Sequence, residues 1–359
     1  MTAVATSRPV TPYDVVWTRG PVRLLRFRAP VARRRRRDRL KDLLLRRRQP
    51  AQPQQQEPAA QKLPVPVLLV PSIINRPAVL DLREGQSLTQ HLLGQGLDVF
   101  LLDWGEPTHA DAHLDLEAYT TRILPRAVRA ACNAAGSAQC HLFGYCLGGT
   151  FALIAAAANP PILRDKVASI VALTTPVDLS DPGAMGLLTD QRLVDLEKAS
   201  AWPIVPGPIL WAAFQALDPT GNSRKARLVQ ERRKDKEFQA RHKAQEAWLN
   251  DPIPMTGKVL RDVVGELYRA NALATRGLIL RGQRVRLADG QAPVLNLIAE
   301  RDTIVPRQAS ERLAELWGGE VETQTFRAGH IGITVGTKAP EQMWAAASEW
   351  LIARQETSS

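Results

Sequence analysis

The stretch 141-HLFGYCLGGTFALIAAAA-158 limits what this chain can fold into more than any other part of it. A short apolar run enters a glycine-flanked turn, Gly144-Tyr145-Cys146-Leu147-Gly148, and leaves as an alanine-rich helix. Strand, tight turn and helix with G-x-nucleophile-x-G spacing form a nucleophile elbow, here with cysteine in the usual serine position. Gly144 and Gly148 leave the room that such a turn needs, and Gly149 lets the helix pack close. Cys146 then stands at the sheet edge, above the N-terminus of a helix beginning near Leu147, where aligned peptide dipoles favour negative charge. A lone cysteine near a strand end is usually a packing residue. The glycines and the strand–turn–helix context make Cys146 the candidate nucleophile instead.

From residue 65 the chain alternates short apolar runs with helix-period segments. The runs are VLLVPSI ending at Ile73, then 98–104, 139–144, 168–176, 293–300 and 321–326; segments such as 84–96, 115–136 and 148–160 lie between them. Continuous apolar strands separated by helices predict an α/β fold with a mostly parallel sheet covered by helices on both faces. Residues from about 180 to 275 break the alternation. They carry helical patterns, such as 223–249, and no strand-like run, which predicts a helical cap inserted over the carboxyl ends of the sheet. The organisation expected is a β-hairpin segment over 1–30, around Arg19-Gly20-Pro21, a linker over 31–64 and a catalytic domain over 65–359.

Net charge narrows the class of function less than its total suggests. The 359 residues carry +11, but 31-VARRRRRDRLKDLLLRRR-48 alone holds nine Arg and one Lys against two Asp. The basicity is therefore local, and nucleic-acid binding by the catalytic body is not expected. The following stretch, 49-QPAQPQQQEPAAQKLP-64, has nothing to bury, and 31–64 reads as a solvated, partly disordered linker. No apolar run is long enough to span a membrane. The start has no signal-peptide pattern. Three cysteines without a CxxC pair suit a reducing cytoplasm and argue against disulfides or a zinc site.

A nucleophile needs a base, and the base an orienting group. The run 293-PVLNLIAERDTIVP-306 ends in an acidic loop with Asp302 just past the strand. The run 321-VETQTFRAGHIGITVG-336 ends in a loop with His330 between glycines. The order Cys146, Asp302, His330, each after its own strand, matches the Ser…Asp…His order of α/β-hydrolases. The expected fold is accordingly an α/β-hydrolase fold with an inserted cap. Two backbone N–H groups are expected to stabilise an oxyanion, those of Leu147 and, in the loop 71-PSIINRP-77, of Ile74. His91, His109, His113 and His242 lack metal-ligand spacing and read as surface or loop residues. Cys132 and Cys140 read as packing residues. Asp103 suits a structural loop role as well as a place near the site.

Several strings in order resemble the polyhydroxyalkanoate synthases: 71-PSIINRPAVLDL-82, 99-VFLLDWGEP-107, 144-GYCLGG-149, 174-TTPVDL-179, the Asp302 segment ending Val305-Pro306, and 328-AGHIGITVG-336. The N-terminal 11-TPYDVVWTRGPVRLLRFR-28 is similar to the start of the short catalytic subunits often called class III. The resemblance implies that Cys146 receives the acyl group of a 3-hydroxyacyl-CoA, that His330 moves the protons and that Asp302 orients His330. It implies 3-hydroxyacyl-CoA as substrate and CoA as product, with no separate cofactor and no metal. It also implies a growing polyester chain or granule surface, and a second synthase subunit or a homodimer, as partners in the cytoplasm. Thiol attack on a CoA thioester exchanges like bonds, so the loaded enzyme keeps the activation that drives transfer to an alcohol. That is a chemical reason for cysteine on the elbow.

Two features depart from the family's pattern. Thr303 follows Asp302 where the family commonly has His, and the Arg-rich segment 31–48 is unusual. Three other readings stay open at this point. One is a cysteine thioesterase or dienelactone hydrolase-like enzyme on the same fold. Another is a related acyltransferase that no longer polymerises. The third is a non-catalytic granule scaffold, against which the intact Cys146, Asp302 and His330 argue.

Overall fold

Residues 7–28, 63–217 and 221–355 are described by the computed structural model of the chain. The Arg-rich and Gln/Pro-rich linker expected over 31–64 lies outside the described residues, apart from Leu63 and Pro64.

An eight-stranded sheet organises the molecule. Its strands are β1 (Tyr13–Arg19), β2 (Val22–Phe27), β3 (Val67–Val70), β4 (Val99–Asp103), β5 (Cys140–Tyr145), β6 (Val167–Leu173), β7 (Val294–Ala299) and β8 (Val321–Phe326), in the spatial order β1-β2-β4-β3-β5-β6-β7-β8. From β4 to β8 every pairing is parallel. Every residue of β3, β4, β5 and β7 is buried. These strands are buried on both faces, which is why their sequences run apolar without alternation. The edge strand β8, VETQTF, has only intermediate and exposed positions.

The N-terminal hairpin is part of this sheet. Gly20, with φ +54°, turns β1 back onto β2, and β2 pairs antiparallel with β4. Two ion pairs fix that seam: Arg23 with Asp103 and Arg26 with Asp98, each at 2.5 Å. Asp103 is thus a structural residue, and it also accepts from Gly105 N at 3.0 Å.

Helix α1 (Leu88–Gly94) starts at Ser87, whose hydroxyl accepts from Gln90 N. Such a cap satisfies one of the donors that a helix start leaves unpaired. Helix α2 (Leu124–Ala135) follows a π-helical turn and ends at Gly136 in the left-handed conformation. Helix α3 (Leu147–Ala158) follows β5 directly. Between β6 and Leu278 the described residues form helices joined by loops, with one two-residue ladder, Ile204–Val205 with Met255–Thr256. Its longer helices are α4 (Gly207–Ala216), α5 (Gly221–Glu231) and α6 (Lys236–Leu249). The pattern read as one helical stretch over 223–249 is two helices. Asp235 interrupts it by capping α6, its carboxylate accepting from Phe238 N at 2.9 Å.

Candidate active site

Three strand ends bring the predicted residues together. Cys146 occupies the bend between β5 and α3 with φ +56° and ψ −129°, a backbone conformation that non-glycine residues rarely adopt. The bend holds because its surroundings are backbone packed on backbone. A Cβ on Gly148 would lie 2.1 Å from Val70 O and 2.4 Å from Pro71 O. A Cβ on Gly144 would lie 2.2 Å from the Cα of Gly149. Cys146 N donates to Leu173 O at 2.9 Å, tying the bend to the end of β6. Strain of this kind persists only where neighbouring structure over-determines it.

Asp302 follows β7 and His330 follows β8, and both are buried. Each carboxylate oxygen of Asp302 has its own partner. Oδ1 accepts from Ile304 N and Val305 N, both at 2.9 Å, and Oδ2 lies 2.6 Å from His330 Nδ1. With Nδ1 committed to the carboxylate, Nε2 is the nitrogen left for the cysteine, whose sulfur favours the charged form of the imidazole. Burial works against an imidazolium here. The Cys146 sulfur and the Asp302 carboxylate outweigh it and raise the His330 pKa to about 10. The arrangement can hold a thiolate against an imidazolium oriented by a carboxylate. Thr303 is exposed, so the carboxylate is held by backbone N–H groups and not by the side chain beside it.

Leu147 is the first residue of α3, so its N–H has no acceptor within the helix. Ile74 N has only a long contact, 3.5 Å, with Ser72 Oγ. Leu147 and Ile74 together form the floor of an apolar cavity of about 420 Å³. Its roof comes from the helical segment, through Met185, Leu210, Phe214, Met255, Val263 and Tyr268.

Tyr145, Tyr268 and Arg76 belong to this neighbourhood and were not singled out by sequence reasoning. The Tyr145 hydroxyl donates to His330 O at 3.3 Å, and the two rings lie 5.2 Å apart. Tyr268 is buried near Cys146 and Asp302, and burial first, then those two charges, push its phenol pKa up. No pattern in the sequence marks Tyr268, whereas Tyr145 lies inside the elbow and Arg76 inside the loop that also holds Ile74.

The remaining candidates fall elsewhere. Cys132 and Cys140 are free, buried thiols whose pKa values burial raises. His109 and His113 are exposed. His91 is half-buried, 3.1 Å from Ser348 Oγ, and is therefore not a surface residue. His141 is fully buried in β5, with Nδ1 2.7 Å from Ser169 Oγ, and burial lowers its pKa to about 4. Among the described residues no group of three or more His, Cys, Asp or Glu is placed to hold a metal ion.

Residues 65–337 match the family model described as the alpha/beta hydrolase fold. The poly(3-hydroxyalkanoate) polymerase subunit PhaC of Allochromatium vinosum is 35% identical over 305 residues, which cover 83% of each chain. The chain belongs to the poly(3-hydroxyalkanoate) polymerase family, on an α/β-hydrolase fold. The PhaC subunit of Haloferax mediterranei is 33% identical over 302 residues, which cover 82% of this chain and 60% of that longer relative. A solved structure of a lipase-like protein from Acinetobacter baumannii superposes with a TM-score of 0.53 at 14% identity, over 97% of this chain and 93% of that one. At that identity the likeness concerns the fold alone. No helix among the described residues is long and apolar enough to cross a membrane.

Proposed function

We propose that this chain is a polyhydroxyalkanoate synthase that moves 3-hydroxyacyl groups from CoA thioesters, through a thioester on Cys146, onto a growing polyester. The observation that carries the reading is the placement of the Cys146–His330–Asp302 set beside a roofed apolar cavity, in a chain of this family.

The Cys146 thiolate attacks the thioester carbonyl, and negative charge passes to the carbonyl oxygen, facing the N–H groups of Leu147 and Ile74. The C–S bond to CoA breaks and the departing sulfur takes the proton from His330 Nε2. The hydroxyl of a second hydroxyacyl group or of the chain end then attacks the Cys146 thioester. His330 takes the hydroxyl proton, an oxyester forms and the thiolate is regenerated. CoA is product, and no step draws on a metal or a redox group. Asp302 keeps the imidazole in the orientation that both proton transfers need. The apolar roof favours transfer to an alcohol by keeping water out. A second subunit or a second copy of the chain, and the surface of a polyester granule, are the partners that this chemistry implies.

The test is direct. Incubation with 3-hydroxybutyryl-CoA followed by peptide mass analysis should find the acyl adduct on the peptide containing Cys146, and Cys146→Ala should lack it. An adduct on another residue, or none on the wild-type protein, would overturn the reading.

A further inference from the structure

The loop that carries Ile74 is held by a clamp that reaches it from two other parts of the molecule. The guanidinium of Arg76, two residues after Ile74, pairs through one nitrogen with Asp251 at 3.0 Å and with Glu106 at 2.6 Å. Asp251 lies just past α6, in the helical segment, and Glu106 lies in the loop after β4. The side chains of Arg76 and Asp251 are only 15% and 11% exposed, so solvent screens their attraction weakly. The backbone of the same loop is held as well. Trp248, buried at the end of α6, donates from Nε1 to Arg76 O at 2.8 Å. Asn75 forms an antiparallel bridge with Pro252, and Trp104 Nε1 donates to Pro71 O at 2.9 Å. A loop of seven residues is thus tied at both ends and from above.

We infer that Asp251 is a positioning residue. Through Arg76 it holds the 71–77 loop so that the Ile74 N–H faces the oxygen of an acyl group on Cys146. The inference deepens the proposed function and rests on that reading for the identity of the acyl group. Two features point to this role over plain stabilisation. The Ile74 N–H has no good acceptor of its own, as expected of a donor kept for a developing oxyanion. The clamp also comes from the helical segment that supplies much of the cavity's lining, through other residues of it, so one segment both lines the cavity and sets the donor. Oxyanion donors work only when closely fixed, and a guanidinium held between two carboxylates, with the loop backbone bonded to Trp248, gives that fixity.

Two reactions of the same sulfur separate positioning from general damage. Acylation passes through an oxyanion and needs the donor, whereas alkylation by iodoacetamide is a displacement at carbon and does not. Asp251→Asn should slow acylation of Cys146 by 3-hydroxybutyryl-CoA and by p-nitrophenyl acetate by about tenfold or more. Its alkylation rate should stay within about twofold of wild type, as expected where no oxyanion donor is used. A double-mutant cycle with Arg76→Gln guards against a variant that folds poorly. If Asp251 acts through Arg76, Asp251→Asn should cost little more once Arg76 is replaced. Equal loss of acylation and alkylation, or additive effects in the cycle, would overturn the inference. A wild-type protein acylated by p-nitrophenyl acetate but not by the CoA thioester would sink the proposed substrate and leave the clamp testable. Acylation by neither would sink both.

Discussion

His330 Nδ1 lies 2.6 Å from Asp302 Oδ2, across 28 positions of chain, with both side chains buried. The contact exists because two neighbouring parallel strands, β7 and β8, end side by side and their following loops meet. It leaves the other imidazole nitrogen for Cys146, from the end of β5. The chemistry of the site is therefore a product of sheet order.

The pKa of His330 should depend on the cysteine. Burial lowers it, while the sulfur of Cys146 and the carboxylate of Asp302 raise it to about 10, so the imidazolium persists through neutral pH and is lost only as pH climbs toward that value. Cys146→Ala removes part of what raises it, and Asp302→Asn removes another part. Histidine NMR titration should show His330 losing its proton at lower pH in both variants. A wild-type pKa near the ordinary 6.5, or no change in Cys146→Ala, would contradict this account.

Gly148 should tolerate no side chain. A Cβ there would meet two backbone carbonyls, Val70 O and Pro71 O, that cannot move without distorting β3 and the loop after it. Gly148→Ala should cost about 3 kcal/mol or more, in the range of severe core mutations. Denaturant unfolding checks this, and a variant of wild-type stability would show the elbow to be looser than described.

The hairpin's two kinds of ion pair should behave differently. Asp98 is almost fully buried against Arg26, so Asp98→Ala should destabilise by about 3 kcal/mol. Asp14 and Arg28 form an exposed pair, and Asp14→Asn should leave the unfolding midpoint unchanged. Equal effects of the two substitutions would mean that the hairpin seam is not anchored through Asp98.

Filling the cavity should change substrate choice before it changes chemistry. Ala213 lines the cavity on α4. Ala213→Phe should lower kcat/KM for 3-hydroxyoctanoyl-CoA by about tenfold relative to 3-hydroxybutyryl-CoA, the scale at which a hydrophobic pocket discriminates chain length. An unchanged ratio would place the acyl tail elsewhere.

Much of this was legible in the sequence, for identifiable reasons. The fold showed through strands that are buried on both faces and so run apolar without interruption. Cys146 and Asp302 showed because each follows such a strand, His330 because it follows the more polar edge strand β8, and Cys146 and His330 also because they sit among glycines. What escaped was what the roof contributes. Tyr268 lies on a helix and Asp251 just past one, neither with a periodic signature of function, and their places depend on how the helical segment folds over the sheet. Residue 76 was visible within a quoted string, but its partners at 106 and 251 are set by packing alone. The break between α5 and α6 was missed because helix period continues across it, and one capping aspartate decides it.

The most direct measurement is CoA release from 3-hydroxybutyryl-CoA by the purified protein, with the acyl product analysed by mass and Cys146→Ala beside it, each with and without a candidate second subunit. The account predicts oligomeric 3-hydroxybutyrate esters that vanish in the variant. Free monomeric hydroxy acid as the product, or no CoA release even with the second subunit present, would contradict it.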